Sequence, residues 1–306
     1  MRQTTARLLQ SFRPLYHENP LGLPRSGTPP TWAKRPQRRK ITGVEKVIAV
    51  SSAKGVLGRS NATVFTHFNV NEAANLSLAF ARLGFRAGIL DTDIFGPSIP
   101  TLFDLSGEPR LSKNNQLVPL TNYGVKTMSM GYLVGENAPV VWRGPMVMKA
   151  IQQLLHEVDW GGLDILVLDL PPGTGDTQLT ITQQVILDGS IIVTTPHTLA
   201  TKDAVKGINM FKAVDVNILG LVQNMSLFVC PHCHGETNVF GSNERVERLC
   251  KDHEICFLGD IPLHPNIGDD AEKGKPTVVA EPSSDRASAF LRVADKILPK
   301  VGLERN

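Results

Sequence analysis

The stretch "KVIAVSSAKGVLGRS", residues 46–60, joins an apolar, β-branched run to a loop of small residues. A phosphate-binding loop needs small residues so that backbone N–H groups can face the phosphates, a Lys for the β and γ phosphates, and a Ser or Thr for Mg²⁺. Four residues stand where such a loop requires them: Lys54, Gly55, Gly58 and Ser60. Ala53 and Arg59 depart from the pattern G-x-x-x-x-G-K-S, and Val56 stands where this class of loop usually has a second consecutive Gly. The stretch therefore predicts a degenerate phosphate-binding loop between a strand and a helix.

Runs like the one before this loop recur along the chain. Near-continuous apolar stretches that end in polar residues indicate strands covered on both faces; they span residues 46–52, 86–93, 164–172, 190–196, 217–224 and 255–262. Between them, residues 150–158 and 283–298 place apolar side chains at helical spacing, and Ser283 or Ser284 would cap the second helix. This alternation predicts an α/β fold with a mostly parallel sheet and helices on both faces.

Carboxylates follow two of the predicted strands. Asp91 and Asp93 lie in "DTDIFGPS" (91–98), and Asp169 lies in "LVLDLPPGTGD" (166–176). In such a fold ligands bind at the carboxyl ends of the strands. One carboxylate there could orient a water or Mg²⁺, and another could act as an outer-sphere magnesium ligand. The sequence thus predicts a nucleotide site with Mg²⁺ at this edge.

A second candidate site is "CPHC", with Cys230 and Cys233 in a loop after a strand. Two thiolates at this spacing can hold one metal or one edge of a cluster, but Zn²⁺ or a four-iron cluster requires four ligands. Cys250 and Cys256 have five residues between them, and we expect them to be ordinary buried thiols. A symmetric homodimer would complete the ligand set. A redox-active cysteine pair is the alternative.

Residues 1–40 form a basic leader. They contain nine Lys and Arg against one acid, so with an overall net charge of +3 the remaining chain carries −5. This composition predicts a mitochondrial transit peptide, with a disordered basic tail as the alternative. The mature domain would span residues 41–300 in the mitochondrial matrix. Nothing points to a nucleic-acid partner, and no apolar run reaches the roughly 18 residues that stable membrane insertion requires.

At these motifs the chain resembles the Mrp/ApbC group of deviant P-loop ATPases, and within it the mitochondrial factors that assemble iron-sulfur clusters for respiratory complex I. The resemblance runs from about residue 43 to 298. It depends on "DTDIFGPSIP" (91–100), "MSMGYLV" (128–134), "VVWRGPMVMKAIQQLL" (140–155), "DWGGLDILVLDLPPGTGDTQLT" (159–180), "GLVQNMSLFVCPHC" (220–233) and "LGDIPLHPNI" (258–267).

The resemblance implies a P-loop NTPase fold and a role for each matching residue. Lys54 would reach the nucleotide of the partner subunit, Ser60 would bind Mg²⁺, and Asp93 would orient the attacking water. Asp169 would be the Walker B acid, and Asn224 would recognise adenine. Cys230 and Cys233 would hold a 4Fe-4S cluster that bridges two subunits.

The chain departs from this family between Ser60 and the helical run "AANLSLAFARLG" (73–84), where about ten extra residues stand. The run "NATVFTHFNVNE" (61–72) shows no helical periodicity, so we expect it to interrupt the first turns of the helix. It is either a genuine insertion or translated intron sequence at a splice boundary, and we favour the second. With Val56 and Arg59 in the loop, we expect weak ATP binding and leave hydrolysis open.

The function expected from this combination is a nucleotide-dependent carrier that delivers 4Fe-4S clusters to mitochondrial apoproteins, above all complex I subunits. Two other functions fit parts of the pattern. A partitioning or positioning ATPase switch of the same fold needs no thiol pair, and a zinc-stapled structural dimer needs no nucleotide. Metal analysis of the purified protein separates all three.

Overall fold

A computed structural model describes most of the chain after the leader. The described residues are 38–52, 62–93, 96–133, 144–173, 175–230, 232–233 and 235–305. Within them the strands are β1 (Val44–Ser51), β2 (Ala87–Asp91), β3 (Leu120–Asn122), β4 (Val125–Ser129), β5 (Leu163–Asp169), β6 (Gly189–Thr194), β7 (Ile218–Val229), β8 (Glu236–Thr237) and β9 (Phe257–Leu263). The helices are α1 (Ala62–Arg82), α2 (Ile99–Leu102), α3 (Gly144–His156), α4 (Asp176–Gln184), α5 (Thr198–Ala213), α6 (Glu244–His253), α7 (Pro265–Glu272), α8 (Thr277–Ala280) and α9 (Asp285–Ile297).

The strands form one mixed sheet in the order β3-β4-β2-β5-β1-β6-β7-β8, with β9 also paired to β7. Neighbouring strands from β4 to β7, and the pair β7 and β9, run parallel. Only β3 and β8 pair antiparallel among the described strands, both at the ends of this order. The mostly parallel α/β fold is therefore confirmed, and each of the six apolar runs forms one of its parallel strands.

The inner strands are covered on both faces. Every residue of β2 and of β6 is buried, although successive side chains point to opposite faces of a sheet. Crossovers between parallel strands are right-handed almost without exception. The connection from β1 to β2 and that from β5 to β6 run in opposite directions along the sheet, so this rule assigns α1 and α4 to opposite faces.

Helix α1 contains the run that we expected to interrupt it. The helix is continuous from Ala62 to Arg82, so the expectation of a break was wrong. Residues 62–72 contain no Pro or Gly, and adding turns to an existing helix needs no new nucleation. Since each residue adds 1.5 Å along the axis, the first residue of the helix lies about 15 Å before Glu72.

The first described residues already pack on the fold. The amide of Arg39 donates to Gln184 O at 2.9 Å, the amide of Ile186 donates to Arg39 O at 3.0 Å, and Ile41 is buried. The described chain is thus part of the compact unit from residue 38 onward, and the predicted boundary at residue 41 stays a prediction. At the other end, Ser284, one of the two predicted candidates, caps α9 by accepting from the amide of Ala287 at 3.1 Å. Of the helices in the described ranges, none combines the length and apolarity that crossing a membrane requires.

Candidate functional site

Two of the predicted carboxylates meet at the carboxyl edge of the sheet. Asp91 ends β2, Asp169 ends β5, and the two residues are direct partners in the parallel register. Both are buried. Val50, next to last in β1, pairs with Asp169 on the other side. Three strands that are distant in sequence therefore end together, as the α/β pattern requires.

Asp91 organises the loop that follows it. Its Oδ1 accepts from the amide of Asp93 at 2.9 Å, and its Oδ2 accepts from the amide of Ser98 at 3.2 Å and from Ser129 Oγ at 3.0 Å. Burial raises the pKa of Asp91 to about 7, and the charge of Asp93 adds to this effect. Asp91 is thus a structural acceptor with its oxygens facing the chain, which leaves Asp93 as the more exposed carboxylate of the loop.

Asp169 is almost completely buried. Burial raises its pKa well above the ordinary value, and the negative charges of Asp91, Asp93 and Glu72 raise it further. Its carbonyl oxygen accepts from both the amide and the Oγ1 of Thr92, at 3.1 and 2.6 Å. Four acidic groups consequently influence one another at this edge.

The basic half of the predicted nucleotide site lies outside the described residues, and its members are Lys54, Gly55, Gly58, Arg59 and Ser60. Their predicted roles stay predictions. The acidic half by itself makes no cage for a cation, because no three His, Cys, Asp or Glu side chains within the described ranges are placed to hold one metal ion. Any Mg²⁺ here would need oxygens from the nucleotide and from the loop that contains Ser60.

Asn224, the predicted adenine-binding residue, faces the protein interior. It is 5% exposed, its Nδ2 donates to Glu72 Oε1, and its Oδ1 accepts from the amide of Met225 at 2.7 Å. The position in β7 brings it to the same edge as Asp169. To contact adenine, however, Asn224 would have to exchange its bond to Glu72 for one to the base.

Glu72 is the acidic residue at this edge that the sequence did not single out. It is 5% exposed, burial raises its pKa well above the ordinary value, and its Oε2 has no hydrogen-bond partner among the described residues. Its side chain borders a small cavity that is otherwise lined by apolar residues, between the sheet and helices α1 and α9: Val50, Leu76, Ile191, Val193, Val222, Ile261, Phe290 and Val293. Glu72 is thus the one carboxyl among the described residues that line this cavity.

The two predicted cysteines lie in a surface hairpin. Strand β7 pairs antiparallel with β8 through Phe228 and Val229, and the amide of Cys230 donates to Gly235 O at 3.0 Å. Cys230 is half-buried and Cys233 is exposed. The hairpin therefore presents both thiols beyond the end of the sheet rather than inside it.

The turn between these thiols stabilises a thiolate. Hydrogen bonds from the backbone amides of Cys233 and His232, and from the Cys233 thiol, lower the pKa of Cys230. Because thiolates are the form that ligates iron and zinc, this geometry favours metal binding. A Cβ atom at Gly235 would lie 3.3 Å from Cys233 Sγ, so the glycine leaves room beside that sulfur.

The other two cysteines lie apart from this turn. Cys250, in α6, is buried, and burial raises its pKa to about 11, which suits an inert thiol. Cys256, which precedes β9, is exposed, so the expectation that both would be buried was wrong for this one. Cys256 lies one residue before β9 begins, so it is not among the strand residues that the sheet and its helices cover.

Three residues at these sites escaped the sequence analysis. Ser129 holds Asp91, Glu72 holds Asn224, and Gly235 makes room at Cys233. A glycine two residues after C-x-x-C was a usable signal. The partners Ser129 and Glu72 are 38 and 152 residues from the side chains they contact, and no local pattern announces them.

The order of these features along the chain matches a known family. A family model of the ParA class, described as the NUBPL iron-transfer P-loop NTPase, matches residues 43–298. The chain belongs to this NUBPL family. The match includes the phosphate-loop segment, both strand-end carboxylates and the cysteine hairpin.

Individual NUBPL relatives are similar over most of their length. The iron-sulfur cluster transfer protein NUBPL of Dictyostelium discoideum is 46% identical over 89% of this chain and 82% of its own. An Arabidopsis thaliana iron-sulfur protein required for mitochondrial NADH dehydrogenase is 43% identical over 85% and 80%. A nucleotide-binding protein from Archaeoglobus fulgidus, solved with ADP, superposes with a TM-score of 0.65 at 35% identity, over 81% of this chain and 93% of its own.

Proposed function

We propose that this protein carries 4Fe-4S clusters, as cargo, and transfers them to apoproteins in the mitochondrial matrix under the control of bound nucleotide. The observation that carries the proposal is the turn at Cys230 and Cys233. Its backbone amides stabilise a thiolate before any metal is present, and both sulfurs lie at the surface. An exposed cluster can be passed to a recipient, whereas a buried one cannot.

A second copy of the chain completes the ligand set. Two thiolates supply half of the four ligands that a 4Fe-4S cluster takes. Two hairpins related by a two-fold axis would bring four thiolates together. Val229 and Val239 are exposed on or beside the same hairpin, and contact between two copies would remove them from water. We therefore infer a homodimer with the cluster at its axis.

The proposed role of nucleotide rests on the family match and on the carboxylates at the strand ends. Asp93 is the most exposed of the four acids at this edge, and Asp169 lies at the end of the adjoining strand. Lys54, Ser60 and the loop glycines would supply the phosphate contacts, and bound Mg²⁺ would neutralise the phosphate charge. In this chain Val56 and Arg59 oppose that binding, so we propose that ATP binds weakly.

The recipients and the compartment follow from the relatives and the leader. The Arabidopsis relative is described as required for mitochondrial NADH dehydrogenase, and residues 1–40 have the composition of a transit peptide. We infer that complex I subunits receive the cluster. An import assay with isolated mitochondria tests the compartment, because retention of the whole chain outside the organelle would contradict it.

Anaerobic reconstitution with iron and sulfide tests the carrier function. We expect about one four-iron cluster per two chains, since each chain supplies two thiolates. Native mass spectrometry of the same sample should give the holo-dimer. Mixing it with an apoprotein that requires a 4Fe-4S cluster should activate that protein faster than free iron and sulfide do.

Each alternative function has its own result in this experiment. Tightly bound zinc with no transferable iron would favour the structural dimer. A preparation that takes up neither metal but binds ATP would favour the nucleotide switch. A full cluster in a strict monomer would contradict the bridging arrangement.

A further inference from the structure

Strand β7 connects the carboxyl edge of the sheet to the cysteine hairpin, and it is interrupted on the way. Asn224 pairs with Ile261 of β9, and the next pair is Phe228 with Leu263. The strand thus carries two residues more than its neighbour over this interval. Such a bulge bends a strand and re-aims the residues that follow it.

The bulge contains a backbone conformation that L residues rarely adopt. Met225 has φ 53°, in the left-handed region, and its side chain is buried. Conformations of this kind persist only where surrounding contacts hold them. A glycine would adopt it without that support.

The contacts that hold Met225 come from both sides. Asn224 Oδ1 accepts from the Met225 amide at 2.7 Å, and Asn224 Nδ2 donates to Glu72 of helix α1. On the other side, Ser226 Oγ donates to Asp260 Oδ2 at 2.8 Å. Asn224 can cap Met225 only while its amide keeps this orientation, and Glu72 is the partner that fixes it.

We propose that Glu72 and Asn224 are positioning residues for the cysteine turn. They hold the bulge at Met225, and the bulge sets the direction of the end of β7, which leads to Cys230 and Cys233. This inference rests on the proposed cluster-carrying function. Cys230 follows Met225 by five residues, or about 17 Å of extended chain, so a small change of angle at the bulge displaces the thiols appreciably.

The arrangement also connects the two candidate sites. The family resemblance predicts that Asn224 contacts adenine, and in this structure the same amide supports the bulge that precedes the thiols. Any ligand that draws Asn224 away from Glu72 would release Met225. Occupancy at the carboxyl edge would in this way alter the presentation of the cysteines.

Rescue by glycine tests the inference. In Asn224→Ala, we expect the reconstituted protein to release iron to a chelator about tenfold faster than the wild type, because Met225 loses its cap. In the double variant Asn224→Ala with Met225→Gly, the rate should return to within about twofold, because glycine needs no cap. Met225→Gly alone loses a buried side chain and should be less stable in urea, but its iron-release rate should stay within about twofold of the wild type.

Matched variants separate positioning from general destabilisation. Gln223→Ala removes a buried amide one residue away that bonds to Asn243 and not to the bulge, so it should leave the iron-release rate unchanged. Glu72→Gln keeps a carbonyl oxygen that accepts from Asn224 and should also match the wild type. Glu72→Ala removes that oxygen, should repeat the Asn224→Ala effect, and serves if Asn224→Ala does not fold.

A second measurement covers the case in which no cluster forms. The rates at which Cys230 and Cys233 react with a thiol reagent in the metal-free protein should change severalfold in Asn224→Ala and return in the double variant, while Cys256 stays constant. If the wild type takes up no iron but this pattern holds, the carrier function fails and the positioning stands. If glycine restores neither iron retention nor thiol reactivity, the positioning is overturned.

Discussion

The carboxyl edge of the sheet and the cysteine hairpin are organised in opposite ways. At the edge, Asp91, Asp169 and Glu72 are buried, and burial raises the pKa of each. At the hairpin, Cys230 and Cys233 lie at the surface, and backbone amides lower the pKa of Cys230. The edge therefore favours the neutral form of its carboxyl groups, whereas the hairpin favours the charged thiolate of Cys230.

This difference separates structural from functional residues within one molecule. A side chain buried at the edge contributes to folding whether or not nucleotide binds, so its removal changes stability. A thiol at the surface contributes little to folding, and its removal changes binding alone. Four variants of the chain test this contrast, beginning with the largest expected effect.

Replacing a hairpin cysteine should abolish the cluster and leave the fold intact. We expect Cys230→Ala to lose all reconstituted iron and sulfide, while its free energy of unfolding stays within about 0.5 kcal/mol of the wild type. Iron and sulfide analysis and urea unfolding measure the two quantities. Cys256→Ala is the matched control, since it removes another exposed thiol and should keep the cluster. Full iron content in Cys230→Ala would end the assignment of this site.

Repairing the phosphate loop should restore nucleotide binding. A chain with Lys-Gly-Gly-Val-Gly-Lys-Ser-Thr in the loop and residues 61–72 deleted should bind Mg-ATP at least 100-fold more tightly, or by about 2.8 kcal/mol. The compact Lys ammonium replaces the forked Arg59, and glycine replaces the branched Val56. Calorimetric titration of both chains is the measurement. Equal affinities would mean that the edge of the unrepaired chain accepts phosphate as it stands.

Removing Asp91 should destabilise the fold by about 2–3 kcal/mol, because Asp91→Ala leaves the amides of Asp93 and Ser98 and the Ser129 hydroxyl without their acceptor. Urea unfolding at pH 7 measures this loss. Ser129→Ala removes one donor of the three, together with the hydroxyl that accepts from the amide of Gly131, and should cost about 1 kcal/mol. If the two variants were equally stable, Asp91 would not be the organiser of its loop.

Neutralising Glu72 should stabilise the protein modestly and only at higher pH. The raised pKa means that the folded state holds its proton where the unfolded state has released it, so stability falls as pH rises above the ordinary carboxyl pKa. Glu72→Gln should therefore gain about 1–2 kcal/mol at pH 8 and little at pH 4. Urea unfolding across this range is the measurement, with exposed Glu272→Gln as the control. A gain of the same size at both pH values would show that burial of the Glu72 charge is not its cause.

Sequence patterns predicted much of the fold, and at the two sites they singled out Asp91, Asp169 and the Cys230–Cys233 pair but none of the side chains that contact them. The six strand runs, the helices at residues 150–158 and 283–298, and the Ser284 cap were recognisable because apolar periodicity and capping are local properties. The helical state of residues 62–72 was missed, since that run lacks the periodicity of an amphipathic helix. Continuity with the buried part of α1 decided it instead.

The sequence by itself determined which strands end in polar residues, the C-x-x-C spacing and the family. Each of these depends on residues that are near one another in the chain. Only the tertiary structure decided that Asp91 and Asp169 are register partners, that Glu72 engages Asn224 across 152 residues, and that the turn's amides face Cys230. Burial and partner choice arise when distant segments pack together. Burial raises the pKa of the carboxylates at the edge, and the turn's amides lower that of the thiol.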